Sequence, residues 1–245
     1  MTDDAVDLPK APPELAALLQ DPRLEGMEEA PSWLPHTRLN LMPANPPVAG
    51  ESPYLLFDEY TTETFGDVDW LNEPPGTNFV ARTGKGQGFR LLTETPRFKE
   101  HKKKPARRAD AWRYSSWLIV SPQFADILRS FDPGAIQTLP IDWEFSDGQK
   151  LDGYQFLDVT RRIHAYDYTR SEVWVTLKRG RKFISGLGHP RALKPGIDSA
   201  FHVFRDDYYR ADILMSRPLA RALSEAGMRG IRFEDPVSID TVEFG

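Results

Sequence analysis

The sequence predicts an α+β fold, with a mostly antiparallel sheet and a few helices packed on one side of it. The first observation behind this is that segments rich in β-branched and aromatic residues follow one another, separated by charged turns. The second is that one pattern, an apolar strand followed by a serine and an amphipathic helix, occurs twice, in WLIVSPQFADILRSF and in DILMSRPLARALSEAG. With 245 residues the chain is long enough to bury a sizeable core.

The first part of the chain is rich in proline, because twelve of the 21 prolines lie within the first 80 residues. Each proline removes an amide donor and restricts the residue before it, so long helices are not expected there. One short helix is predicted to start at Pro13, with Leu15, Leu18 and Leu19 on one side, and SPYLLFDEY is predicted as a strand. Residues 83–104 contain TGKGQGF and FKEHKKK, which predict turns or a mobile surface loop.

The two repeated units have matching signals for a helix start. Ser121 and Ser216 each follow an apolar strand, and a serine hydroxyl can accept a hydrogen bond from a free amide of the next turn. Gly227 is suited to close the second helix, as Pro133-Gly134 is the first. The apolar stripes of the two helices are Phe124, Ile127, Leu128 and Phe131, then Leu219, Ala222, Leu223 and Ala226.

Between and after the two units the chain is predicted to form strands. These are YQFLDVTRRIHAYD, SEVWVTLKRG and KFISGLG, with GIRFEDPVSIDTVEF as a final strand or hairpin in which Val237, Ile239 and Val242 continue the alternation. We therefore divide the chain into a Pro-rich N-terminal region, residues 1–109, with an acidic block and a basic loop, and an α+β domain, residues 110–245.

Composition excludes several classes of protein. The absence of cysteine excludes a disulfide framework, thiolate metal sites and a cysteine nucleophile. No apolar run approaches the roughly 20 residues that a membrane helix needs. The start, MTDDAVDLPK, lacks the basic and apolar stretches of a secretory signal, so we expect a cytoplasmic location and no membrane partner.

Candidate catalytic and cofactor sites have ordinary structural explanations. Gly84, Gly86 and Gly88 around Lys85 do not have the spacing of a P-loop, and a flexible turn is favoured. No two of the five histidines have the i, i+4 spacing of a helical metal site, and neither Ser121 nor Ser216 has the flanking glycines of a nucleophile elbow. We expect no cofactor, no bound metal and no enzyme activity.

Two further clusters leave alternatives open. FHVFRDDYYR groups His202, Arg205, Asp206 and Asp207, and the alternative to a strand that meets a charged turn is metal binding or acid–base chemistry by this cluster. The basic run RFKEHKKKPARRADAWRY carries aromatic residues that could stack bases, but the chain as a whole has a net charge of -5. A solvated loop or a partner-binding patch is favoured there over a nucleic-acid site.

The order of four segments resembles a known family. WLIVSPQFADILRSF, YQFLDVTRRIHAYDYTRSE, FHVFR and DILMSRPLARALSEAGMRGIRF together resemble immunity-protein family eleven of bacterial polymorphic toxin systems, over roughly residues 111–234, with YLLFDEY as a weaker match upstream. The resemblance implies a protein that protects the producing cell by binding a cognate toxin, whose gene is expected to be adjacent. It also implies a role in competition between bacteria, such as that by type VI secretion. It brings no catalytic residues. The alternative function is a hydrolase that reverses a toxin's modification and uses the cluster from His202 to Asp207. Its landmarks are Ser121, Asp158, Asp167, Ser171, Phe204, Ser216, Gly227 and Gly230.

An acidic block supplies a hypothesis for the toxin-binding surface. Between Arg38 and Arg82 the chain has no lysine or arginine but seven acidic residues, with aromatic side chains among them. Complementary charge accelerates association, and aromatic anchors inside a charged rim are typical of binding hot spots. The alternative is a solvated loop with the block's tryptophan in the core. The residues expected to face a basic toxin are Asp58, Glu59, Glu63, Asp67, Asp69 and Trp70.

Overall fold

The structure is a computed structural model that describes residues 12–29, 38–47, 52–59, 68–74, 86–90, 92–105, 108–114, 117–178 and 180–244. Within those ranges the helices are α1 (Pro13–Leu18), α2 (Pro122–Phe131) and α3 (Arg217–Glu225), with a 3-10 helix at Pro22–Leu24. The strands are β1 (Arg38–Leu41), β2 (Tyr54–Glu59), β3 (Val68–Trp70), β4 (Arg97–Glu100), β5 (Ala111–Tyr114), β6 (Trp117–Val120), β7 (Ile136–Pro140), β8 (Asp142–Glu144), β9 (Gln155–Val159), β10 (Arg162–Ile163), β11 (Val173–Lys178), β12 (Arg181–Leu187), β13 (Val203–Asp206), β14 (Ile213–Ser216) and β15 (Ile231–Glu234).

These strands form four sheets. Their strand orders are β10-β13-β14-β2-β15, β5-β6-β9-β7, β1-β11-β12 and β3-β4-β8. Among the strand pairs that the structure describes, nine are antiparallel and two, β10 with β13 and β4 with β8, are parallel. The sheet structure is therefore mostly antiparallel, but it is divided among four sheets.

The two longer helices start directly after strands, at serine caps. Ser121 Oγ accepts a hydrogen bond from the backbone N–H of Phe124 at 3.3 Å, and Ser216 Oγ accepts one from Leu219 at 3.4 Å. Each hydroxyl satisfies an amide that has no partner inside its helix, which fixes the residue where the helix begins. No helix in the described ranges combines the length and the apolar character that a membrane crossing requires.

Alternate residues of the larger sheets face different apolar cores. In β2, Leu55 and Phe57 lie in the first core, whereas Tyr54 and Leu56 lie in the second. The first core also receives α2, α3 and one face of the four-stranded sheet, and the other face of that sheet contributes Trp117 to the third core. Burial on both faces explains why YLLF and WLIV are continuous apolar runs.

The sequence predicted that the helices pack on one side of the sheet. The described helices instead pack on different cores. Helices α2 and α3 pack against each other on the first core, whereas α1 places Leu15 in the second core. The difference arises because several sheets offer separate apolar faces, so a short helix near the start of the chain has its own surface to cover.

Strands from the first 59 residues belong to the same sheets as strands near the end of the chain. Strand β1 pairs with β11, and β2 lies between β14 and β15, so that Phe57 is opposite both Ile213 and Phe233. These pairings cross the predicted division at residue 109. The division itself stays a prediction.

Residues 97–100 form strand β4, where the sequence predicted a loop. Phe98 and Glu100 are buried, and Phe98 packs on Trp143 with ring centroids 5.1 Å apart. The Glu100 carboxylate accepts hydrogen bonds from Trp143 Nε1 at 3.0 Å and from Arg108 at 3.1 Å. Strand prediction relies on alternating apolar residues, and here a glutamate takes an inward position next to a lysine-rich segment. The glutamate can be buried because it is paired, but the sequence pattern does not show this.

The predicted alternation at the end of the chain is not kept either. After β15 the carboxylate of Asp235 accepts hydrogen bonds from the amides of Val237 and Ser238, which turns the chain. Ile239 then adopts a φ of 66° and is 58% exposed, while Val242 packs against the first core. The chain then returns antiparallel to β15, because Glu234 pairs with Thr241 and Val242 N–H donates to the Phe233 carbonyl at 2.8 Å, so a hairpin forms around this turn.

Candidate partner-binding surface

The described part of the chain holds four of the six residues that were predicted to face a partner. Glu63 and Asp67 lie outside the described residues. The other four lie on two strands of different sheets: Asp58 and Glu59 end β2, and Asp69 and Trp70 end β3.

The two carboxylates at the end of β2 are paired with arginines. Asp58 accepts a hydrogen bond from Arg232 at 2.6 Å, and 40% of its side chain is exposed. Glu59 accepts one from Arg113 at 2.9 Å, but only 16% of its side chain is exposed. The hydrogen bond to Glu59 raises the pKa of Arg113. The acidic block contains no lysine or arginine of its own, but two strands distant in sequence supply Arg113 and Arg232 as partners.

At the end of β3 one residue is exposed and the next is partly internal. The side chain of Asp69 is 63% exposed, and its Oδ2 lies 3.0 Å from His101 Nε2. Trp70 is half-buried, with its ring centroid 5.3 Å from that of Phe98 and 6.1 Å from that of Tyr114. Trp70 therefore packs against the third core and still contributes to the surface.

A groove of about 300 Å³ lies beside Trp70. Sequence patterns did not indicate the other residues that line this groove. Glu73 belongs to the acidic block but follows the last aromatic residue, and the segment 92–96 is distant in sequence and was predicted as part of a loop. The lining residues are Trp70, Asn72, Glu73, Pro74, Leu92, Thr93, Glu94 and Pro96.

The glycine-rich segment that was considered as a phosphate-binding loop binds a carboxylate of the protein itself. The backbone amides of Gly86 and Gly88 donate hydrogen bonds to the carboxylate of Asp158, at 3.0 Å and 2.9 Å. Both glycines are buried and have positive φ angles, so this end of the segment is anchored. Successive amides of this kind form an anion-binding concavity, and here Asp158 is the anion.

The cluster from His202 to Asp207 does not converge on one pocket. Arg205 points to Asp158 on β9, with Nη2 3.5 Å from Oδ1. Asp206 is fully buried and accepts hydrogen bonds from the amides of Ala165 and Tyr209, at 2.9 Å and 2.7 Å, and from the hydroxyl of Tyr168. These contacts hold the loop after β13 in place. Among the described residues, no group of three or more His, Asp or Glu side chains is placed to hold a metal ion.

His202 has a different partner, the cap serine of α3. His202 Nδ1 lies 2.8 Å from Ser216 Oγ. The His202 ring also contacts the ring of Phe131, which lines a groove of about 330 Å³ together with Arg217. The amides that could stabilise an oxyanion are used, because Arg217 N–H donates to Pro53 and Leu219 N–H donates to Ser216. Pro218 has no N–H.

The basic segment offers little stacking surface. Phe98 and Trp112, two of its three interleaved aromatic residues, are each only 1% exposed. The guanidinium of Arg108 lies 4.6 Å from the Trp112 ring centroid and forms an ion pair with Glu100 at 3.1 Å. Base stacking needs an exposed ring face, so this geometry disfavours a single-strand nucleic-acid site.

Comparison with models of protein families identifies a family. The model of the Immunity protein family (Imm11) matches residues 42–238, which is most of the chain. The match begins well before the segment on which the sequence resemblance rests, and it includes β2, β3 and the groove beside Trp70. A search of curated proteins found no match.

Proposed function

The chain belongs to the Immunity protein family (Imm11), and from this membership we propose that it protects a producing bacterium by binding and neutralising a cognate toxin. The family match is the observation that carries the proposal. We propose further that the protein works in the cytoplasm as a stoichiometric binder without turnover, and that the toxin gene lies next to its own.

The placement of the buried charged residues supports binding rather than catalysis. Arg205 and Asp206, which the sequence grouped in a candidate catalytic cluster, and Asp158 beside them are 0–1% exposed and form hydrogen bonds mainly with backbone amides and carbonyls. Such residues stabilise loops and offer no open position to a substrate. Loops that are held in this way are suited to present a preorganised surface.

We propose that the toxin contacts the surface formed by Asp58, Asp69 and Trp70, together with Glu63 and Asp67 of the same block. Of the described carboxylates in the predicted set, Asp69 and Asp58 are the more exposed, at 63% and 40%, against 16% for Glu59. Glu59 is nearly buried, so its part in the surface is to hold Arg113. Exposed carboxylates attract a basic toxin at a distance and raise its association rate.

The alternative function is a hydrolase that reverses a toxin's modification. The observation in its favour is the contact of His202 with Ser216 near a groove. An enzyme would rescue poisoned cells at far less than one molecule per toxin, whereas a binder loses protection below one-to-one. The supply of immunity protein relative to toxin therefore separates the two functions.

The experiment expresses the product of the neighbouring gene with and without this chain, and measures growth and co-elution. The surface is tested by the charge reversal Asp67→Lys with Asp69→Lys. Its matched control is Asp240→Lys with Glu243→Lys, which changes the charge by the same amount at two exposed carboxylates on the segment that packs against a different core.

We expect the reversed variant to lose at least about tenfold in toxin affinity at low salt, and less at high salt, because screening weakens exposed charge interactions. The control is expected to bind as the unmodified chain does. If neither the affinity nor its salt dependence changed, the proposal that this surface binds the toxin would be refuted. Toxicity without protection, and no co-elution of the unmodified chain, would remove the function.

A further inference from the structure

We infer that the groove beside Trp70 receives an arginine side chain of the toxin. This inference rests on the proposed function, and it names the chemistry that the partner must present. The groove has three features that suit a guanidinium group: an aromatic wall, two carboxylates and a rigid framework that holds them.

The aromatic wall is the indole of Trp70. Its buried part packs against Phe98 and Tyr114, and the ring of Trp117 lies 6.4 Å away between centroids. The third core therefore holds the indole in one orientation while part of it lines the groove. A planar guanidinium stacks on a tryptophan face more favourably than on any other side chain.

Asn72 organises the rim of the groove. Its Oδ1 accepts hydrogen bonds from Trp70 Nε1 at 3.2 Å and from the backbone N–H of Arg97 at 2.8 Å. Its Nδ2 donates to Glu94 Oε2 at 3.3 Å and to the Thr95 carbonyl at 3.0 Å. One side chain thus fixes the indole, one carboxylate and strand β4 relative to one another. A ligand that enters meets groups that are already positioned.

Both charged residues that line the groove are glutamates, Glu73 and Glu94. Both are exposed, so each keeps oxygen atoms accessible to a donor. Burial raises the pKa of Tyr114, and the negative charge of Glu73 raises it further. The remaining lining residues include Leu92, Pro74 and Pro96, which offer apolar contact to an aliphatic stem.

These features favour arginine over lysine. Arginine presents five donors in a flat fork, so it can bond to two carboxylates while its plane stacks on the indole. A lysine ammonium is a compact, strongly hydrated charge that gains less from a flat aromatic wall. The exposed side chain of Leu71, 59% accessible, follows Trp70 directly and offers an apolar contact outside the groove.

The test uses the double substitution Glu73→Gln with Glu94→Gln in the full chain. Both changes keep the size of exposed side chains, so the fold is expected to persist. The matched control is Glu25→Gln with Glu28→Gln, which removes the same charge from two exposed positions beside the 3-10 helix, on the second core. We expect the groove variant to bind the neighbouring gene's toxin at least about tenfold more weakly, and the control within about twofold of the unmodified chain.

The identity of the ligand is tested by phenylglyoxal, which modifies arginine, at protein concentrations that saturate each complex. We expect one toxin arginine, located by peptide mass spectrometry, to be protected by the unmodified chain and by the control but not by the groove variant. Equal affinity of the groove variant, or a pattern of arginine protection that it leaves unchanged, would overturn the inference while the proposed function stands. Failure of the unmodified chain to bind the toxin would remove both.

Discussion

Arg205 Nη2 lies 3.5 Å from Asp158 Oδ1, and neither side chain is more than 1% exposed. Burial lowers the pKa of Arg205 to about 10, although the nearby charge of Asp158 opposes this effect. Arg205 also donates to the carbonyl of Arg210 at 2.8 Å, and Asp158 accepts from the amides of Gly86 and Gly88. The pair thus joins a loop of the N-terminal region to β9, β13 and the loop after β13.

Asp158→Asn is expected to destabilise the protein by about 3 kcal/mol or more. The substitution leaves a buried arginine without its counter-charge, and it places amide donors near the N–H groups of Gly86 and Gly88. Urea unfolding measures the change. Asp152→Asn, at an exposed turn position, serves as the control and is expected to stay within about 0.5 kcal/mol. If Asp158→Asn lowered the free energy of unfolding by less than about 1 kcal/mol, the Arg205–Asp158 pair would not stabilise the fold as proposed.

Two glycines in the connection from α3 to β15 are expected to differ in tolerance to alanine. Gly227 and Gly230 have φ angles of 68° and 79°, so either substitution imposes a left-handed conformation that costs about 1 kcal/mol. A Cβ at Gly227 meets nothing within 4 Å, whereas one at Gly230 would lie 2.5 Å from Ala109 Cβ and 3.0 Å from the Ala111 carbonyl. We expect Gly230→Ala to cost at least about 1 kcal/mol more in thermal unfolding. Equal costs would contradict the close approach.

His189 is expected to make stability fall in mild acid. Burial, and after it the charge of Arg191, lowers the pKa of His189 below its ordinary 6.5. The unfolded chain then binds the proton more readily than the folded one, so the contribution is present above pH 6.5 and is lost as the pH falls toward the folded pKa. Unfolding free energies at about pH 7.5 and about pH 5.5 should differ less for His189→Gln than for the unmodified chain. An identical difference in both proteins would exclude this histidine as the cause.

Ser216→Ala separates the structural role of the serine from a catalytic one. Loss of the cap is expected to cost about 1 kcal/mol of stability, while protection against the toxin persists when both proteins are equimolar. His202→Gln is expected to behave in the same way. Growth under toxin expression and thermal unfolding measure the two effects. Loss of protection by a variant that remains folded and still co-elutes with the toxin would favour the hydrolase.

The features that the sequence predicted depend on neighbours a few residues apart. The hydroxyls of Ser121 and Ser216 bond to amides three residues on, and Phe124 and Leu128 are buried on the predicted stripe. Strand β2 lies within SPYLLFDEY, since a run of four apolar residues marks a strand buried on both faces.

The features that it did not predict depend on partners far along the chain. Nothing near Asp58 indicates Arg232, which lies 174 positions away, and nothing near Asp158 indicates that Gly86 will bind it. The groove combines residues 70–74 with residues 92–96, which β3 and β4 bring together by pairing. Short-range patterns fix caps and stripes, while charge pairing and grooves follow from the tertiary fold.

The most direct measurement titrates the purified chain against a fixed amount of the toxin that is proposed as its partner, and records the toxin's remaining activity on its target. We predict that the toxin's activity falls in proportion to the added chain and ends at one molecule of the chain per toxin. Complete rescue at a small fraction of that amount, or recovery of a target that the toxin has already modified, would contradict it and show that the chain acts by turnover.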